Sequence, residues 1–150
     1  MAGDPLRDAF RAKLLAIVGS PPAGSFAGWV ISDTLNTTEA PDAAVNFITL
    51  RFGPASEQQY SFGAPGANLW KEAGDVYVDF FARLGNGHDQ AEVAALALRN
   101  AFRTLGPTGF AMTTGQRVRI LEVAPMFGGP VDGAWWCETV AIAYRVFNTG

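Results

Sequence analysis

The chain has 150 residues with 11 Lys and Arg against 14 Asp and Glu, a formal net charge of −3, so it carries no basic surface large enough to hold nucleic acid by neutralising phosphates. A single cysteine, Cys137, excludes an internal disulfide, and with the single histidine, His88, it leaves too few soft ligands for an ordinary zinc site. Hydrophobic residues make up 49% and charged residues only 17% of the chain, with a mean hydropathy of +0.12; so little charge predicts apolar surface covered by another subunit.

The length predicts one domain over residues 1–150, with a core that needs neither disulfides nor metals. The segment DPLRDAFRAKLLAIVG predicts an amphipathic helix in which Asp4 caps, Pro5 suits the first turn, and Leu6, Phe10, Leu14 and Ile17 share one face. Its apolar run Leu14–Val18 is too short for a signal segment or a membrane span. With one cysteine and no span, the expected setting is a reducing, intracellular one. Residues 19–44 lack periodicity and read as a long connection with one short strand in FAGWVI.

AVNFITLRF, residues 44–52, is apolar on both alternating sets and predicts a central strand, continued weakly by QYSF. After the GAPGAN loop, DVYVDFFARL sets Val76, Val78, Phe80 and Ala82 on one face against Tyr77, Asp79, Phe81 and Arg83 on the other. GNGHD then leads into a helix on which Ala91, Ala94, Ala95, Leu98, Ala101, Phe102 and Leu105 recur at helical spacing, stopped by Gly106 and Pro107. QRVRILEV, a loop APMFGGPVDG and the strand WWCETVAIAYRVF predict a C-terminal hairpin with an irregular apolar tip. Together these elements predict an α+β fold: a mixed or antiparallel sheet of about four to five strands, an N-terminal helix, a second helix packed on the sheet, and a C-terminal β-hairpin.

No constellation of chemistry-bearing residues stands out. His88 beside Asp89 is explained by a helix start, with Asp89 as N-cap and Glu92 completing a variant capping box. The GNG at 85–87 lacks the spacing and lysine of a phosphate loop. Cys137 in an alternating strand reads as a small buried hydrophobe, and Glu72, Asp75 and Asp79 as a solvated edge. No catalytic residue, cofactor or metal is expected. Met126 and Phe127 in the glycine-rich tip are hard to bury in a small domain, which marks the tip, with Val131 and the neighbouring Trp135, as the expected subunit interface.

The order of elements, with WKEAGDVYVDFF, the GNG turn, an alanine-rich helix ending in FRTLG and the tryptophan-led final strand WWCETVAIAYRVF, resembles the tail terminator proteins of long-tailed bacteriophages and gene transfer agents over residues 44–147. The resemblance implies a virion structural protein with no catalytic residues. It would form a hexameric ring at the head-proximal end of the tail tube, stop polymerisation of the tube and present the head-joining surface. Its implied partners are further copies of itself, the major tail tube protein and a head–tail connector, with DNA passing through the ring without specific binding and no membrane involved. It would be part of the particle's tail, assembled in the host bacterial cytoplasm. Two other readings compete. One is a head-completion or tail-adaptor subunit of the same particle. The other is a small-ligand-binding or enzymatic α+β domain with a pocket between sheet and second helix, using Asp79, Tyr77 or His88 as polar groups.

Overall fold

The structure is a computed structural model that describes residues 5–19, 23–31, 46–59, 69–83, 88–106, 108–112, 116–131 and 135–149, with backbone only for residues 57–59, 69–70, 88 and 148–149. The Asp4 cap, the GAPGAN loop, the GNG turn and the Pro107 stop lie outside the described residues. Helix α1 is Pro5–Val18, and its buried residues Leu6, Phe10, Leu14 and Val18 recur at the spacing that keeps one stripe facing inward. A single 3₁₀ turn, Gly24–Phe26, leads to strand β1, Trp29–Ile31.

Four long strands follow in two sequence-adjacent pairs. β2 (Asn46–Gln59) and β3 (Leu69–Arg83) are antiparallel, as are β5 (Arg117–Val131) and β6 (Trp135–Thr149). Helix α2 (His88–Leu105) and the two-residue strand β4 (Phe110–Ala111) lie between the pairs in sequence. The strands form one sheet in the order β1-β2-β3-β6-β5-β4, with only β1–β2 parallel. This corrects the expected count of four to five strands to six: β1 is a short strand within FAGWVI, where one was expected, while the two-residue β4 is too short to show alternation and only its partner reveals it. The sheet is mixed and curls as a half-barrel.

Alternation along the strands sorts the two faces. Leu50, Val78, Val140 and Pro125 stand side by side across β2, β3, β6 and β5, and Phe52, Val76, Ile142 and Val123 form a second such row. Both helices cover this face. Ala91, Ala94, Ala95, Leu98 and Phe102 of α2 join Val76, Val78, Phe80, Val140 and Ile142 in the core, the alanines permitting close approach of helix to sheet. Phe10 of α1 lies at its centre, edge-on to Phe110, Tyr144 and Phe52 at 5.1, 5.4 and 5.9 Å between ring centroids and stacked at 6.3 Å on Phe102. Fully burying a side chain of this size stabilises by about 1.5–3 kcal/mol, so α1 is held by a handful of contacts of that kind. Gly74 lets Tyr144 in: a Cβ there would sit 2.8 Å from the Tyr144 hydroxyl oxygen, which donates to Glu72 at 3.2 Å.

Candidate functional site

Among the described residues, the borders of the sheet are only partly covered by short strands. β1 covers β2 at Asn46–Ile48, and β4 covers β5 at Arg117–Val118. The Ile120 N–H is satisfied by the Gly106 carbonyl at 3.0 Å. Beyond these points no other strand among the described residues borders β2 from Thr49 onward or β5 from Leu121 onward. Such borders present backbone N–H and C=O groups able to pair with another chain.

The β5 border is also apolar. Leu121, Met126 and Phe127 are 54%, 57% and 48% exposed. Bulges between Ile120 and Glu122 and between Pro125 and Phe127 set Leu121 and Met126 out of the ladder. The expected irregular tip APMFGGPVDG is corrected here. β5 runs through Val131 with Val131 opposite Trp135, so only residues 132–134 separate the strands. Pro125 and Pro130 gave the segment its loop character in sequence, but an edge strand tolerates a residue that lacks an N–H. Of the four expected interface residues, Met126 and Phe127 are exposed and Val131 is half-buried. Trp135 is buried edge-on against Phe47 at 5.0 Å between centroids, with the Arg83 guanidinium 5.5 Å above its ring.

The face of the sheet away from the helices holds a cluster that alternation did not disclose. Asp79, expected on a solvated edge, is 3% exposed. Its Oδ1 accepts from the Thr139 hydroxyl at 2.6 Å and an Arg51 terminal N–H at 3.0 Å, and its Oδ2 from the Thr49 hydroxyl at 3.0 Å and Arg51 Nε–H at 2.6 Å. Thr49, Asp79 and Thr139 are neighbours across β2, β3 and β6; the network was therefore visible only once the register was known. The hydrogen bond to Asp79 raises the Arg51 pKa further above its ordinary value. Burial pushes the Cys137 thiol up to about 11, with Thr139 Oγ1 at 3.6 Å opposing the shift. A carboxylate with four donors and a protonated thiol are fitted to hold strands together, not to attack a substrate.

Among the described residues, the polar groups expected in a pocket do not converge. Tyr77 and Asp79 lie on the face opposite α2, Tyr77 beneath the Arg51 guanidinium at 5.0 Å, and nothing is described of the His88 side chain. The pocket imagined between sheet and α2 therefore does not gather Asp79 and Tyr77. α2 itself begins at His88, so Asp89 is the second helical residue, inside the first turn instead of at the N-cap. Among the described residues no group of three or more His, Cys, Asp or Glu could hold a metal, and no helix is long and apolar enough to cross a membrane.

No protein-family model matches the chain, and no curated protein matches it significantly. Among solved structures, a protein whose name states no function matches at TM-score 0.59 over 97% of this chain and 96% of its own, with 21% of residues identical. That likeness concerns the fold alone.

Proposed function

We propose that the protein is a ring-forming tail terminator of a long-tailed bacteriophage or gene transfer agent: a subunit that assembles, as a hexamer, at the head-proximal end of the tail tube, halts its polymerisation and offers the surface to which the head joins. The observation that carries the reading is the pair of sheet borders that no other strand among the described residues covers, one of them studded with Leu121, Met126 and Phe127. β2 and β5 stand on opposite sides of the sheet and run antiparallel to each other, since three antiparallel steps separate them. A neighbour of the same orientation thus brings its β2 antiparallel to this β5, a head-to-tail contact of the kind that generates rings. A mildly acidic subunit suits a conduit through which DNA passes unheld. The commitment of Asp79 and the protonation of Cys137 support a structural role over an enzymatic one.

Negative-stain microscopy of the purified protein and of particles made with and without it tests the reading. Rings, together with overlong tails when the protein is missing, are expected. A protein that stays monomeric and is absent from tail ends overturns the proposal, and tails of normal length lacking heads would assign it to head completion or adaptation.

A further inference from the structure

The two uncovered borders are equal in length but lie at opposite ends of the sheet. Among the described residues, β1 occupies the β2 border at Asn46–Ile48 and leaves Thr49–Gln59. β4 and the Gly106 carbonyl occupy the β5 border as far as Ile120 and leave Leu121–Val131. Leu50 and Pro125 share one row across the sheet, through Val78 and Val140. A neighbour added level with this copy therefore pairs only near Thr49–Phe52: above those rows its β2 meets β4, and below them its β1 meets β5. Sliding the neighbour about five residues, roughly 17 Å, toward the Val131 end of β5 removes both obstructions. The whole of its Thr49–Gln59 then lies against the whole of Leu121–Val131.

We infer that copies of this chain join through that staggered pairing, with Ala55 of one copy opposite Pro125 of the next and Ser56 opposite Ala124; the inference rests on the ring reading above. The stagger preserves sidedness, which a slip of one residue would reverse. Ala55 and Pro125 belong to rows of the helix-covered face, and Ser56 and Ala124 to rows of the other. It also sets the β2 bulge between Phe52 and Ala55 against the β5 bulge between Pro125 and Phe127, so both strands bend at one place. Four long strands spaced about 4.8 Å apart span about 19 Å per copy. A slide of about 17 Å over that width inclines the strands about 40° to the ring axis, within the roughly 35–45° at which sheets close on themselves.

Disulfides between copies read the pairing. In a Cys137→Ala chain, Ala55→Cys with Pro125→Cys places thiols at two exposed positions that the stagger brings opposite each other. Leu50→Cys with Pro125→Cys reports the level alternative, and within one copy β3 and β6 keep either pair out of disulfide reach. Each variant is oxidised mildly in solution and in assembled particles and scored on denaturing gels, with light scattering before oxidation. The Ala55 pair should give a ladder of linked chains at least about tenfold faster than the Leu50 pair, whose thiols the stagger holds roughly 17 Å apart. Ser56→Cys with Ala124→Cys should give the same ladder, and keeps the test open if circular dichroism shows the first pair unfolded. Assembled copies that link through the Leu50 pair, or through none, overturn the stagger and leave the ring standing. A chain that stays monomeric and is absent from particles overturns both.

Discussion

Asp79 and Cys137 share one buried patch but respond to perturbation in different ways. Asp79→Ala removes the acceptor for two buried hydroxyls and for Arg51. Because the Arg51 side chain is 53% exposed, water replaces its lost partner, and the cost comes mainly from Thr49 and Thr139. Chemical denaturation should show a loss of about 2–4 kcal/mol with an unchanged slope. Cys137 should resist thiol reagents at neutral pH while folded and react at the rate of unfolding. Its thiol ionises near 9.0 when released and near 11 when folded. The contribution from keeping it protonated is therefore full below pH 9 and is lost as pH rises through 11. Denaturation midpoints over that interval should fall in the parent and fall less in Cys137→Ala. Cys137 was legible as a buried hydrophobe from its strand alone. Asp79 was not: its neighbours in sequence, Val78 and Phe80, reveal nothing of Thr49 and Thr139, which reach it only through the ladder.

At the level of elements, the segments with strong periodicity were readable and the shortest was not. Leu6, Phe10 and Leu14 of α1, Ala91, Ala94, Ala95, Leu98 and Phe102 of α2 and the Val76, Val78, Phe80, Ala82 set lie in the core as their spacing required, whereas Val18 takes the buried place expected of Ile17, and Ile17, Ala101 and Leu105 are only partly buried. β1 falls within FAGWVI, where one short strand was expected, whereas β4 escaped because two residues cannot display a period. β5 was misjudged because its prolines and glycines outweighed alternation, and bulges shift the phase of what alternation remains. The connection from α2 into β5 passes through two glycines in the left-handed region, Gly106 and Gly109, and the second is the more confined. Gly109 has φ +61°, and a Cβ there would overlap the Val118 carbonyl where β4 joins β5. Gly109→Ala should lower stability by at least ~2 kcal/mol, since the left-handed conformation alone costs about 1–3 kcal/mol. A matching alanine at Gly28, φ +85° but with open space around it, should cost only the backbone share. The difference between the two melting temperatures measures the clash.

For the whole molecule, composition raised the expectation of a partner, and Met126 and Phe127, expected at its interface, are exposed. The uncovered borders were beyond the reach of the sequence, because an edge is defined by the strands that are missing beside it. Replacing Met126 and Phe127 together with Asp should leave a folded monomer, since both side chains are about half exposed. Assembly should suffer, as each large side chain covered in a contact contributes roughly 1.5–3 kcal/mol. Circular dichroism and light scattering distinguish this outcome from unfolding, which would assign the two residues to the core. The antiparallel relation of β2 and β5 carries one more implication. Every copy joined through these borders leaves one of each kind free at the two ends of the growing row, so addition can continue indefinitely unless the row bends back on itself. Ring and fibre are then the same contact with different curvature, and a subunit deprived of whatever sets that curvature becomes the seed of a filament.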